Sequence, residues 1–142
     1  MDKKVDQFKK ELRTYRGLKE ELAEKKEQLK IAWYDMTGVK GVDAAKIRVQ
    51  YNQHIADMNR HTQSEKIEKI VKEIERLEAN IWHIDEILLA MPPDARAYAT
   101  DIYIKGRTFD ATSGKYYLSR SAILARIDRS ILKALNRTHP TL

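Results

Sequence analysis

Apolar residues recur in a heptad pattern along the first quarter of the chain. Within Lys3–Met36 the intervals alternate between three and four residues, and two of the inner positions hold Lys19 and Lys26. The apolar members are Val5, Phe8, Leu12, Tyr15, Leu22, Leu29, Trp33 and Met36. This spacing places one apolar stripe on one face of a helix. We therefore predict a long helix that packs on a partner helix and ends at Gly38 and Gly41.

A second heptad stripe, within Ser64–Met91, has an apolar residue at every inner position. These residues are Ile67, Ile70, Ile74, Leu77, Ile81, Ile84, Leu88 and Met91. Four more apolar residues widen the stripe: Val71, Trp82, Ile87 and Leu89. A helix with so wide an apolar face usually has more than one neighbour. We expect Ser64 to cap the start of this helix and Pro92-Pro93 to end it.

The two predicted helices, about 50 Å and 40 Å long, can bury their stripes in two ways. They can fold back on each other as a long antiparallel helical hairpin, which leaves the extra apolar width of the second helix for another copy. Alternatively, each helix can pair with its own copy across a symmetry axis. We assign self-association, as a homodimer, to inner positions of the second helix: Ile67, Ile70, Ile74, Leu77, Ile81, Ile84 and Leu88.

The connection between the two helices, residues 37–63, is predicted to be irregular, with either a short helix or a loop. Four apolar residues stand there at helical spacing, separated by polar ones: Ile47, Tyr51, Ile55 and Met58. His54, Asp57 and His61 are residue types that bind metals, but three such residues at loose spacing are a weak signal for a site. We predict surface histidines, with no metal and no cofactor.

After Pro92-Pro93 the pattern changes to three short helical pieces, so we predict a small domain at 94–142 beside a helical domain at 1–91. The expected N-caps are Asp94, Thr108 and Ser119, and the expected ends of the pieces are Gly106, Ser113 before Gly114, and about Asn136. The last piece carries its apolar residues on one face: Ile123, Ile127, Ile131 and Ala134. On its opposite face we expect Ser121, Ala125, Asp128 and Arg129. Three short helices with a basic last helix are typical of a helix-turn-helix.

The candidate DNA-binding residues lie in this last helix or just before it. They are Lys115, Tyr116, Tyr117, Ser119, Arg120, Ser121, Arg126 and Arg129. Ser119 caps the N-terminus of the last helix, and this terminus can point at a phosphate. Arg120 and Ser121 come directly after the cap, where they can reach base edges in the major groove. The residues of the preceding turn suit contacts to the DNA backbone, although Tyr116 and Tyr117 could instead belong to the core of so small a domain.

The positive charge of the chain is concentrated in its last third. Residues 1–93 contain 18 Lys or Arg against 17 Asp or Glu, a net of +1, whereas residues 94–142 contain 9 against 4, a net of +5. A local excess of basic residues is expected of a surface that binds phosphates, although a merely solubilising surface would have the same composition. This charge therefore supports, without proving, binding to double-stranded DNA.

Composition excludes several classes of protein. The chain has no Cys, which excludes a disulfide framework and fits a reducing compartment. It has no apolar N-terminal stretch and no apolar run near the roughly 20 residues of a membrane span. We predict a cytoplasmic protein without a membrane contact. A Gly-rich phosphate loop and a catalytic triad are both missing from the sequence, so we predict that it is not an enzyme.

Specific residues of the last third carry a resemblance to known regulators. They are Tyr103, Gly106, Ser119-Arg120-Ser121, Ile123, Ile127 and Ser130-Ile131. Through them the stretch Tyr103–Leu135 resembles the fourth region of bacterial sigma factors, a helix-turn-helix that binds promoter DNA. The layout of the whole chain resembles small phage-encoded late-gene transcription regulators of the RinA and ArpU type. The resemblance implies activation of structural, packaging or lysis genes in a host bacterial cell, through host RNA polymerase.

Two other functions fit the same pattern. A phage DNA-packaging subunit of the small-terminase kind also combines a helix-turn-helix with a coiled coil, but it forms rings, so a sizing column would separate it from a dimeric regulator. A coiled-coil adaptor would use the basic module to bind protein, and its binding would depend little on salt.

Overall fold

The computed structural model describes residues 2–53 and 62–138, and the regular elements within them are all helical. They are α1 (Lys3–Thr37), α2 (Ala44–Gln53), α3 (Thr62–Ala90), α4 (Pro93–Ala99), a π turn (Thr100–Ile104) that continues α4, α5 (Phe109–Tyr116) and α6 (Arg120–Thr138). The predicted all-α fold is confirmed. The predicted surface histidines His54 and His61, with Asp57, lie outside the described residues, as do Ile55 and Met58.

The chain divides into two compact units, which we call the central unit (residues 18–79) and the terminal unit (residues 1–17 and 80–142). This division differs from the domains predicted at 1–91 and 94–142. The first part of α1 and the last part of α3 belong with the C-terminal helices because their apolar side chains are buried in that unit. The prolines end α3, as predicted, but they do not mark a boundary between the units, because the residues on both sides of them belong to the terminal unit.

The core of the central unit joins three helices. Its buried side chains are Leu29, Ala32 and Trp33 of α1, Ala44, Ile47 and Tyr51 of α2, and Ile67, Ile70, Val71 and Ile74 of α3. The C-terminal half of α1 thus packs on the N-terminal half of α3, as in an antiparallel pair, and Lys25 bridges to Glu73 at 2.8 Å. The connection forms a short helix, and Gly38 supplies the positive φ of 74° just after α1 ends.

The terminal unit packs the start of α1 and the end of α3 with the C-terminal helices. The Tyr15 hydroxyl donates to Asp85 of α3 at 2.5 Å. Arg96 of α4 donates to three main-chain carbonyls near the end of α3: Leu88 at 2.8 Å, Leu89 at 3.2 Å and Met91 at 2.9 Å. The last carbonyls of a helix have no partner within it, so this guanidinium satisfies groups that would otherwise be unpaired.

The self-association residues are buried within a single chain. Ile67, Ile70, Ile74, Leu77, Ile81, Ile84 and Leu88 are each at most 8% exposed. Within each unit the structure follows the hairpin alternative, in which these side chains are buried by the same chain. Of the residues that widen the stripe, Val71 and Ile87 are buried, whereas Trp82 is 65% and Leu89 72% exposed.

Several predicted helix ends need correction. The third helix begins at Thr62, so Ser64 lies inside its first turn, buried, instead of capping it. Pro92 is the cap residue of α4, and Pro93 begins the helix, because a proline at the first helical position has a suitable φ and needs no hydrogen bond there. Asp94 is therefore already helical. The predicted caps Thr108 and Ser119 are confirmed, since their hydroxyls accept hydrogen bonds from the amides of Ala111 and Ala122 at 3.0 and 3.1 Å.

The second helix of the C-terminal part also differs from its prediction, because α5 continues through Gly114 to Tyr116. Glycine costs about 1 kcal/mol inside a helix. The last turn of α5 is nevertheless stabilised by a contact with α4, because the Tyr116 ring packs edge-on against Tyr98, with ring centroids 4.7 Å apart.

The burial of the hairpin within one chain can be tested at Ile74, which is fully buried in the central unit. Ile74→Asp would place an unpaired charge in that core, and we expect a loss of several kcal/mol in the free energy of unfolding. Ile31→Asp is the matched control, since Ile31 is 60% exposed and the change there should stay within about 0.5 kcal/mol. Urea unfolding followed by circular dichroism measures both. Equal stability of the two variants would contradict intramolecular burial.

Candidate nucleic-acid interface

The C-terminal helices pack around α6. Both α4 and α5 pack against α6, and residues 117–119 form a short turn that connects α5 to α6. Tyr117 in this turn has a left-handed backbone, with φ 56° and ψ 38°. The apolar face predicted for the last helix is confirmed, because Ile123, Ile127, Ile131 and Ala134 are all buried.

A buried carboxylate organises the segment between α4 and α5. Asp101 lies in the π turn, where the amide of Lys105 donates to the Thr100 carbonyl at 2.9 Å, and it is only 3% exposed. Its carboxylate accepts hydrogen bonds from Lys115 at 3.0 Å and from the Tyr116 hydroxyl at 2.7 Å. Two further cations are close to it: Lys105 at 3.7 Å and Arg107 at 3.8 Å.

These partners set the ionisation of Asp101. Burial alone would raise its pKa, but the hydrogen bonds from Tyr116 and Lys115 outweigh burial, so the pKa of Asp101 lies below its ordinary value of 3.8. The carboxylate is therefore charged at neutral pH and balances the cations around it. Lys115 and Tyr116, both predicted to bind DNA, thus have a partner within the protein. For Tyr116 this favours the alternative of a core residue.

A third predicted DNA-binding residue, Arg126, also has a partner within the unit. Its guanidinium donates two hydrogen bonds to the Asp94 carboxylate, each at 3.1 Å. The hydrogen bond from Arg126 holds the pKa of Asp94 below its ordinary value. A two-point contact of this kind fixes orientation as well as charge, so Arg126 links α6 to the start of α4.

Asp128, predicted on the face opposite the apolar one, has a partner from α1. It forms an ion pair with Lys9 of α1 at 2.5 Å. Lys9 and Arg13 also lie over the ring of Tyr103, at 5.7 and 5.3 Å from its centre. Asp128 is the single acidic residue of α6. Its pairing with Lys9 therefore compensates the one negative charge of α6.

The remaining predicted residues are available at the surface. Arg120, Ser121 and Arg129 are exposed, and Tyr117 is 93% exposed. The Arg120 guanidinium lies over the Phe109 ring, 5.3 Å from its centre, a contact that leaves its hydrogen-bond donors free for a ligand. The Ser119 hydroxyl is used by the helix cap.

Two basic residues of α6 were missed in the prediction from sequence. Lys133 and Arg137 come after Arg129 at intervals of four residues, and none of the three is buried. Within the part of the chain that the structure describes, none of the three forms an ion pair. Residues four apart lie on the same side of a helix, so the spacing itself was a usable signal. They continue the exposed series of Ser121 and Ala125, which turns by about 40° around the helix axis at each step, and we call these five residues the outer row of α6.

The two units differ sharply in charge. The terminal unit contains 15 Lys or Arg against 9 Asp or Glu, a net of +6, and the central unit contains 12 against 12, a net of 0. The whole net charge of the protein thus lies on the unit that contains α6. The charge is more unevenly placed than the sequence division at residue 93 indicated.

Comparison with known proteins assigns no family. No family model matches the chain, and no curated protein or solved structure matches it. Across residues 2–53 and 62–138, no group of three His, Asp or Glu side chains could hold a metal ion. In the same residues no helix is long and apolar enough to cross a membrane.

The role of Asp101 can be tested by its dependence on pH. Because its pKa is lowered by folding, its stabilising effect is complete above the unfolded value of 3.8 and is lost as the pH falls through the lower folded value. Asp101→Asn should lower the free energy of unfolding by roughly 1–3 kcal/mol at pH 7, and the difference from wild type should shrink as the pH falls below 3.8. Urea unfolding of both proteins at neutral and acidic pH measures this difference.

The control for this experiment is Asp110→Asn. Asp110 is an exposed residue of α5, so its substitution should change stability by no more than about 0.5 kcal/mol. A deficit of Asp101→Asn that is equally large at neutral and acidic pH would mean that the ionised carboxylate is not the stabilising form.

Proposed function

We propose that this protein is a sequence-specific regulator of transcription that binds double-stranded DNA through α6. The outer row of α6 carries the proposal. Its first members, Ser121 and Ala125, are small, whereas its last three are the cations Arg129, Lys133 and Arg137. This order suits a recognition helix, which enters the major groove at its N-terminal end.

The side chains in each part of the row support a helix whose N-terminal end enters the major groove. Small side chains at the start of α6 let the helix approach the base edges closely. Arg120 beside them has the planar donor fork that recognises guanine through O6 and N7. The cations further along reach phosphates, which position the protein without reading sequence. The net charge of +6 on the terminal unit attracts the DNA backbone as a whole.

The biological role in this proposal rests on the resemblance of Tyr103–Leu135 to the fourth region of sigma factors and of the whole layout to phage late-gene regulators. On that basis the protein activates structural, packaging or lysis genes in the cytoplasm of a host bacterium and contacts host RNA polymerase. It acts without catalysis. A homodimer would place two recognition helices on two half-sites, and the exposed Trp82 and Leu89 of α3 are apolar side chains suited to such a contact.

Binding to duplex DNA should depend steeply on salt. If about four cations per chain meet phosphates, a dimer should lose at least roughly a hundredfold in affinity between about 50 and 200 mM salt. The double variant Lys133→Glu, Arg137→Glu should bind at least about tenfold more weakly at the lower salt concentration, because it reverses two charges of the outer row. Fluorescence anisotropy with a labelled duplex measures both effects.

A matched charge reversal separates the outer row from total charge. Lys66→Glu with Lys69→Glu changes the net charge by the same amount, but both residues lie at the surface of the central unit. This variant should bind DNA nearly as well as wild type. Equal losses in the two double variants would show that only the total charge matters and would refute an interface on α6.

Specificity should depend on Arg120 more than on Arg129. Selection from a random duplex pool should return one preferred site, against which a scrambled duplex serves as reference. Arg120→Ala should remove about 1–3 kcal/mol of discrimination between the two. Arg129→Ala should weaken both complexes alike. It should also reduce the salt slope, which is the slope of log affinity against log salt concentration, by about one per chain. Failure to enrich any sequence would contradict a specific regulator, and equal losses on both duplexes for Arg120→Ala would remove Arg120 from base recognition.

A further inference from the structure

Tyr117 has an unusual backbone for a tyrosine. It is the one non-glycine residue with a positive φ in the part of the chain that the structure describes, and the other such positions are Gly38, Gly41 and Gly106. In the left-handed region the Cβ atom of an L residue approaches the following carbonyl too closely, so glycine or asparagine is preferred there. The geometry of this turn therefore favours a different residue from the one present.

Packing does not explain the tyrosine either. Its side chain is 93% exposed, the highest value among the exposed large hydrophobic side chains of the described residues. The turn is held by other groups, since the amides of Tyr117 and Leu118 both donate to the Ser113 carbonyl and the Ser113 hydroxyl donates to the Leu118 carbonyl. The ring thus projects from a fixed turn and adds nothing to the fold.

Residues held in strained backbone conformations concentrate at functional sites, and the position of Tyr117 indicates which site. It comes directly after Tyr116, which is anchored to Asp101 at 2.7 Å, and it precedes the Ser119 cap and Arg120. In a helix-turn-helix docked on DNA, groups in and around the turn lie beside the sugar-phosphate backbone at the edge of the major groove.

We propose that Tyr117 is a DNA-contacting residue whose ring packs on a deoxyribose at the edge of the groove. This assignment rests on the proposed function and adds an uncharged contact to the cations of α6. The sugar offers an apolar surface, and the contact contributes to the free energy of binding because it removes the exposed ring from water. Such a contact depends little on base sequence and fixes the position of α6 relative to the strand.

The test compares Tyr117→Gly, Tyr117→Phe and the control Tyr34→Ala, which removes another exposed aromatic ring, from the central unit. Tyr117→Gly should weaken binding to the selected duplex by about tenfold or more, because the whole ring is lost. Its salt slope should match that of wild type, because no charge is removed. Tyr117→Phe should bind within about threefold of wild type, since it keeps the ring, and Tyr34→Ala should bind as wild type does.

Thermal unfolding provides an independent measurement. Tyr117→Gly should unfold at the same temperature as wild type or higher, because glycine is unstrained at this φ. Tyr117→Asn serves as a second variant, because asparagine also tolerates the left-handed region without the extra flexibility of glycine in the unfolded chain. The expected combination is therefore weaker DNA binding without loss of stability.

Several results would overturn the assignment. Wild-type affinity for both Tyr117→Gly and Tyr117→Asn would show that the ring makes no contact. Lower unfolding temperatures for both variants would show a structural role, and a salt slope reduced by about one would show that an ionic contact was lost instead. If wild-type protein bound no duplex at all, the proposed function itself would fail, a result distinct from a loss confined to the Tyr117 variants.

Discussion

The carboxylate of Asp101 is buried where the chain leaves α4, and the groups that satisfy it come from the end of α5. A buried charge is costly unless its hydrogen-bonding capacity is met, so Lys115 and Tyr116 must stay where they are. Their position fixes the last turn of α5, and with it the start of the turn that leads into α6. The direction in which the proposed recognition helix begins therefore depends on one anion 15 residues before Tyr116 in the chain.

Internal ion pairs decide which basic residues remain at the surface. Among the described residues from Asp94 onward, three of the four acidic side chains are paired within the terminal unit: Asp94 with Arg126, Asp101 with Lys115 and Asp128 with Lys9. These pairs link α4, α5 and α1 to their neighbours and compensate three of the four negative charges. The remaining cations of α6 then face solvent together. Stability and a positive surface thus arise from the same placement of aspartates, and neither requires a large excess of basic residues.

The sequence predicted features that depend on local periodicity and missed those that depend on distant partners. The stripes of α1 and α3 and the inner face of α6 were predicted because the apolar spacing of a helix is visible in the chain itself. The caps at Thr108 and Ser119 are equally local. By contrast, Asp94, the partner of Arg126, lies 32 residues away in the chain, and nothing near Asp128 in the sequence points to Lys9.

The π turn at Thr100–Ile104 has a consequence for how this region can change in length. A π turn accommodates one residue more than an α-helical turn, so it corresponds to a single insertion within an otherwise continuous helix. Removing one residue would restore regular α-helix but would rotate the segment after the turn by about 100° relative to α4. Asp101 could then no longer meet both Lys115 and Tyr116. The segment can accept many substitutions more easily than one deletion, and its length is itself a structural requirement.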